Sequence, residues 1–526
     1  MPIANLGRNA ARLLGALLLV LAVTANVRAD EFIDRVNAAF KAIPEDKRSD
    51  LVLLPLLPAM DPPPAVLTSQ TRAALFGSAG PGWQESKDWA QKPAQKAVLE
   101  ALEKITKEED RLKAFAFAQP YGVDAMGADS KSIDLVTKGM YTELGEPPLL
   151  AAAQHKYMPA LERVGILVQV EASRLLEAGD GAGALKLLTD WLFFARQMAD
   201  RPFVKEKKWA MDSMRLTLMR IRDIIYQDMR APKHTIELAK LRELVTRLRE
   251  RRGFLMLDRL TLPEGDFIAY EQLLAKVMKP GGGPDPATFA PTMARVSATD
   301  RPLQLFSWSA YWDSAREGQA GQRDYADMLK AIRGDWFKRW ELSPFDRLMN
   351  TVTDYRRRVQ TSPKFSILNE PFSDIDELFS LRQQLKTELG GTRMAAGAYG
   401  FLLRQKSMPK GLEATRPEFI DSIDKDPYSK QGIDLTYFVP VRDTTRPGEP
   451  QGQPFVMKLY PPDPNPTFEV PLGSDIFVIY SVGPDDVRGF ARFATQTRTG
   501  IPGDYLLFPP PIALYRQRLL EQNQLK

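Results

Sequence analysis

Two apolar stripes on either side of a glycine stop constrain this chain more than any other feature. Leu161, Val164, Leu167, Val168, Ala172 and Leu175 recur at helical spacing, and Ala184, Leu185, Leu188, Trp191, Leu192, Ala195 and Met198 do so again. Between them stands Glu177-Ala178-Gly179-Asp180-Gly181. Residues three and four apart share one helix face. A glycine just past a helix can take the left-handed conformation that closes the last turn. The segment therefore predicts two antiparallel helices, each with a face to bury. Another stripe (Val98, Leu99, Leu102, Ile105, Leu112, Phe115) follows Pro93, which a helix start tolerates. Helices are also predicted over 209–226, 235–252, 325–338 and 375–405, the last interrupted at Gly390-Gly391.

Beyond Gln405 the pattern changes. Short β-type runs predict strands over 435–439, 455–459, 476–481 and 505–508. Between them, 440–466 is proline-rich and reads mainly as loop. The small residues Ala395 and Ala398 beside Met394, Tyr399 and Leu402 suit a helix packed closely on a sheet. The fold class expected is mainly α, a helical hairpin or solenoid-like array followed by a small α+β module with a short antiparallel sheet. The division expected is 30–278 helical, 279–391 helical connection opened by the break Lys279-Pro280-Gly281-Gly282-Gly283-Pro284, 392–511 α+β module, and 512–526 a short polar helical tail.

Residues 1–29 read as a cleavable export signal. Arg8 and Arg12 precede the apolar run from Leu13 to Ala25, and Val27-Arg28-Ala29 offers a cleavage site before Asp30. The run is shorter than the roughly 20 residues a membrane-spanning helix needs, so no stable span is expected after cleavage. Loss of Arg8, Arg12 and Arg28 brings the formal net charge of +5 down to +2. The balance gives no reason to expect nucleic acid. The basic run Arg247, Arg249, Arg251 and Arg252 is interleaved with Glu243 and Glu250, as on a mixed-charge helix surface. The chain has no cysteine, so disulfides, lipid acylation and thiol chemistry are all excluded, and buried apolar surface must hold the fold.

Two resemblances follow from particular wording. Leu176-Glu177-Ala178-Gly179-Asp180 followed by Ala184-Leu185 and Leu188 resembles a tetratricopeptide-type helical hairpin over about 161–200. Asp426-Pro427-Tyr428-Ser429, then Leu435-Thr436-Tyr437-Phe438, then Phe477-Val478-Ile479-Tyr480-Ser481-Val482-Gly483-Pro484-Asp485 resembles the globular part of the major pseudopilins of type II secretion, over about 392–511. The pseudopilin likeness implies a helix packed on a short sheet, a secretion context and a calcium-binding last loop. Asp485, Asp486 and Asp504 stand where that loop would supply ligands, with Arg488, Arg492 and Arg498 between them. The family begins with a prepilin leader and an assembly helix, whereas here the module follows a helical domain.

Chemistry is sparse. His155 and His234 do not make a metal motif, and phosphate-cradling, dinucleotide and nucleophile-elbow motifs are missing. Carboxylate groups (Asp374, Asp376 and Glu377; Asp421, Asp424 and Asp426) read first as helix-start and turn acids. Phe306, Trp308, Tyr311 and Trp312 form an aromatic cluster that is core or a binding platform. The expected function is that of an exported, non-catalytic protein-interaction protein, periplasmic or extracellular in a bacterial envelope and linked to secretion, with envelope proteins as partners. The alternative is an exported hydrolase using two carboxylates on polysaccharide or peptide.

Overall fold

The glycine stop works as the sequence predicts. Gly179 has φ +79°, its N–H donates to Leu176 O at 3.0 Å, and the Asp180 N–H donates to Leu175 O at 2.8 Å. The Asp180 carboxylate then accepts from the Gly183 N–H at 2.7 Å and starts the next helix. The result, in a computed structural model, is an antiparallel pair, Met158–Glu177 and Gly181–Met198. The structure describes residues 30–107, 115–249, 255–370, 375–444, 454–460, 467–495 and 503–525. The predicted export segment 1–29, Asp374 and Arg498 lie outside them.

A helix of 27 residues, Val204–Arg230, packs against Gly181–Met198 on one side and against Ile375–Gln405 on the other. It is the hub of the fold. Apolar Met211, Met214, Leu218, Ile221, Ile224 and Ile225 are buried along it, and so are Glu206, Arg220, Arg222, Asp223 and Asp228. A helix apolar on one stripe faces a core, whereas one buried all round must carry its charges inward. The predicted helices over 209–226 and 235–252 correspond to Val204–Arg230 and Leu238–Arg247.

The helix Ile375–Gln405 runs 31 residues without interruption, so Gly390-Gly391 do not break it as expected. The glycines serve close approach instead. A Cβ on Gly391 would stand 2.7 Å from the Leu507 side chain, and one on Gly390 would stand 3.0 Å from Asp424 Cβ. The expected small-residue stripe is buried, with Met394, Ala395, Ala398 and Tyr399 at 0 % exposure.

Two short strands, β1 (Thr142–Glu143) and β2 (Gln154–His155), form a separate antiparallel ribbon. The main sheet comprises β3 (Thr436–Phe438), β4 (Phe455–Leu459), β5 (Phe468–Leu472), β6 (Val478–Ser481), β7 (Phe493–Thr495) and β8 (Asp504–Phe508). Its lateral order is β3-β6-β8-β7-β4-β5. The antiparallel pairs are β3–β6, with Tyr437 opposite Ile479, β6–β8, and β4–β5. The sheet is not wholly antiparallel, because β7 pairs in parallel with both β8 and β4. Strand β5 escapes a sequence reading because Pro471 lies inside it. As an edge strand it has no neighbour on one side to miss the absent N–H.

The expected polar tail is instead a largely buried helix, Pro511–Glu521. Ile512, Leu514, Tyr515, Arg516 and Leu519 are covered by Gln70–Phe76 and the hub helix. One apolar cluster runs continuously from Leu53 through the helical array and the sheet to Leu514.

Gly391→Ala should lower the free energy of urea unfolding by about 1–3 kcal/mol, a typical cost of overpacking. Gly334→Ala, on an exposed helical position with nothing within 4 Å of its would-be Cβ, should raise it by up to about 1 kcal/mol. Equal effects at the two positions would refute close packing as the reason for Gly391.

Candidate functional site

A concavity of about 980 Å³ lies between the long helix and the loop that leads into the sheet. Asp376, Phe379, Gln383, Lys386, Gly390 and Arg393 line it at alternating steps of three and four, so one face of Ile375–Gln405 is its floor. One wall is the end of Gln322–Glu341 with Leu342, Ser343 and Pro344; the other is the segment from Asp421 to Lys425 with Pro427. That segment is fixed by the Leu435 N–H donating to Asp424 O at 3.0 Å and the Asp426 N–H donating to Ile433 O at 2.8 Å.

Bases outnumber acids around the groove: Arg249, Arg339, Arg382, Lys386, Arg393 and Lys425 against Glu341, Asp376, Asp421 and Asp424. Arg393 is the central group. Its guanidinium spans the two wall carboxylates, donating to Asp421 at 2.8 Å and to Asp424. Arg249 reaches Asp421 from the other side at 3.2 Å. Arg382 lies over the Trp340 ring, 4.9 Å from its centroid, and donates to the Trp340 carbonyl. A carboxylate pair that performs hydrolysis needs one acid free to give a proton and room for water or substrate between the two. Here a guanidinium stands between Asp421 and Asp424. The arrangement binds charge and does not display a proton-transfer pair.

A second concentration of ionisable groups sits at the start of the hub helix. Glu206 accepts from Arg201 Nε at 2.8 Å and from the Tyr121 and Tyr157 hydroxyls, and His155 Nδ1 lies 3.7 Å away. Burial alone would push the Glu206 carboxyl up, but the Arg201 guanidinium, His155 and the two hydroxyls hold it below its ordinary value. Burial pulls His155 down to about 4, so it is neutral. Clusters with such shifts mark active sites, but a substrate has to reach them. Glu206 and Tyr157 are 0 % exposed, so this cluster ties the ribbon, the hairpin and the hub helix together. No pattern in the sequence points to it, because its members come from separate segments.

The loop acids expected from the pseudopilin likeness are held by backbone. Asp504 is buried and accepts from the N–H groups of Gly489 at 3.1 Å and Ala491 at 2.6 Å. Asp485 accepts from Val487 and Gly503, and Asp486 from Lys430. A calcium ion requires six or more oxygens converging on one point. These carboxylates diverge onto separate amides, and among the described residues no group of three or more acidic, histidine or cysteine side chains is arranged for a metal. Among the described residues these three carboxylates are thus engaged by backbone N–H groups. Asp426, expected as a turn former, caps its own turn through Tyr428 N–H at 2.9 Å. It also accepts from Ser481 Oγ at 2.7 Å and Val482 N–H at 2.8 Å.

The aromatic cluster divides. Trp312 is core, 1 % exposed, with its indole N–H donating to Ser297 Oγ. Trp308 is partly buried against the same core, whereas Tyr311 and Phe306 are open to solvent. Leu303, one turn before Phe306, is 98 % exposed and Phe306 87 %. No flat aromatic platform results; an uncovered apolar pair does.

No known family model matches this chain, and neither curated proteins nor solved structures give a match. Among the described residues no helix is long and apolar enough to cross a membrane.

Asp266, which accepts from the Val204 N–H at 2.7 Å, generates a pH-dependence. Unfolded, its carboxyl ionises near 3.8; in the fold, burial pushes it up to about 8. Its stabilising share is full below the unfolded value and drains away as pH rises toward the folded one. Asp266→Asn keeps an acceptor for Val204 without the charge. Relative to wild type, its unfolding free energy should therefore improve steadily between pH 5 and pH 8, by at most about 1.4 kcal/mol per unit. Urea titrations at those two pH values measure the change, and a pH-independent difference would be the wrong outcome.

Proposed function

We propose that this chain is an exported, non-catalytic interaction protein of the bacterial envelope, with a link to secretion. The single observation that carries the interaction role is the uncovered pair Leu303 and Phe306 at the head of helix Leu305–Ala315, with Leu305 and Tyr311 also exposed. Apolar groups gathered at one place on a surface mark contact sites more often than isolated ones do. Buried aromatic and aliphatic anchors then supply most of a contact's energy. The link to secretion rests on the pseudopilin resemblance. In its favour, the two motifs that carry it touch, since Asp426 of the Asp-Pro turn binds Ser481 and Val482 of the Tyr-Ser turn. The tetratricopeptide-like hairpin is consistent with a helical array that presents surfaces to other proteins. Export is supported by Asp30. The expected mature N-terminus caps the first helix, Glu31–Lys41, through Phe32 N–H at 3.1 Å and accepts from Gln272 at 2.6 Å.

Two measurements test this. Intact mass of protein from an envelope fraction should correspond to a chain starting at Asp30; retention of Met1 to Ala29 would remove the exported placement. Crosslinking in envelope extract should trap a partner with wild type and lose it with Leu303→Glu/Phe306→Glu. The melting temperature should stay unchanged, since fully exposed substitutions shift stability by about 0.5 kcal/mol or less. An intact partner complex with that variant would move the interaction elsewhere. Turnover of polysaccharide or peptide that disappears with Asp421→Asn or Asp424→Asn would replace the whole proposal with the hydrolase.

A further inference from the structure

The groove above the long helix is not used by the exposed apolar pair. Its floor, from Asp376 to Arg393, extends about 26 Å at the helical rise. Its acids Asp421 and Asp424 are already taken up by Arg393 and Arg249. The bases are held more loosely. Arg339 comes no nearer than 3.7 Å to either Asp335 or Asp354. Arg393, its side chain 4 % exposed and bonded to both wall carboxylates, is the exception and fixes their position. Lys386 and Lys425 pair with Asp258 at 3.1 Å and Asp434 at 2.8 Å, partners that stand outside the groove lining. Such partly exposed pairs hold weakly and exchange readily for a better acceptor. Half-buried Phe379 and exposed Pro344 place apolar surface between these charges.

We propose that the groove takes an extended acidic segment of a partner polypeptide, about eight residues long at the strand rise. Carboxylates of the segment meet Arg339, Lys386 and Lys425, while alternate apolar side chains settle on Phe379 and Pro344. A small anion would leave most of the trough and its apolar steps unused. This inference rests on the interaction role proposed above and adds the chemistry of the partner.

Fluorescence anisotropy of the full chain with a fluorescein-labelled peptide alternating Glu and Leu tests it. Saturable binding is expected, weakening with salt, absent for the Gln-Leu counterpart, and reduced about tenfold or more by Lys386→Glu/Lys425→Glu. That double variant should keep a single cooperative melt, and Phe306→Glu should bind the peptide as wild type does. Equal binding of the Glu and Gln peptides, or undiminished binding by the double variant, would overturn the inference. So would stronger competition by inorganic phosphate or polygalacturonate than by unlabelled peptide. If the peptide fails while an envelope partner still depends on Leu303 and Phe306, the groove assignment falls alone; loss of both removes the interaction role as well.

Discussion

The fold depends on keeping the charges of helix Val204–Arg230 paired where water does not reach. Arg222 and Glu388 are both fully buried and bonded to one another. Arg222 also donates to Leu507 O at 2.8 Å and Thr392 Oγ1 at 2.7 Å, while Glu388 accepts from the Tyr505 hydroxyl at 2.7 Å. At the next residue, Asp223 is shared by Arg220 and Arg516. Farther along, Asp228 accepts from Thr235 at 2.7 Å and from Tyr399. Removing one member of such a pair strands the other at a cost of about 3–5 kcal/mol. The helical array, the sheet and the final helix are therefore bound to one element by obligations that only a particular docking satisfies. Apolar contact alone would accept many arrangements of the same helices; these pairs accept few.

How much of this was legible follows from where the causes lie. The hairpin at Gly179 and Asp180 is a local matter of caps and periodicity, and the sequence displays it in full. Strand β4 coincides with its expected span, and β3, β6 and β8 fall within a residue or two of theirs, because β-rich wording bounded by Pro and Gly is also local. Strand β5 was hidden by Pro471, whose tolerance depends on edge position, a property of the assembled sheet. Gly390-Gly391 read as a break because glycine has poor helix propensity, yet tertiary contact with Leu507 and Asp424 overrides that cost. Arg220, Arg222 and Asp223 did carry a signal. They interrupt an apolar run whose other members surround them, so no face of that helix could have stayed in water. The cluster at Glu206 carried none, nor did the groove, since both are assembled from segments distant in sequence.

Gly390 connects architecture to surface. It lets the Asp421–Lys425 wall approach the long helix, and Asp424 on that wall becomes a partner of Arg393. The feature that looked like an interruption thus sets the width of the groove and the position of its central guanidinium. The acids of the last loop join segments in a different way. Asp485, Asp486 and Asp504 each accept from backbone amides, Asp486 from as far away as Lys430 and Asp504 from Gly489 and Ala491, so they tie separate segments of the module together.

Arg516 has a consequence for the order of folding. Its guanidinium binds Asp223 across 293 positions of sequence and also caps the carbonyls of Ala74 and Leu75. Until residue 516 is in place, Asp223 has only its helix neighbours Arg220 and Gln227, and the carbonyls that end Gln70–Phe76 lack their buried donor. Contacts so far apart in sequence form late and slowly. The local hairpins can thus form early, but the centre stays unsealed until residue 516 has docked.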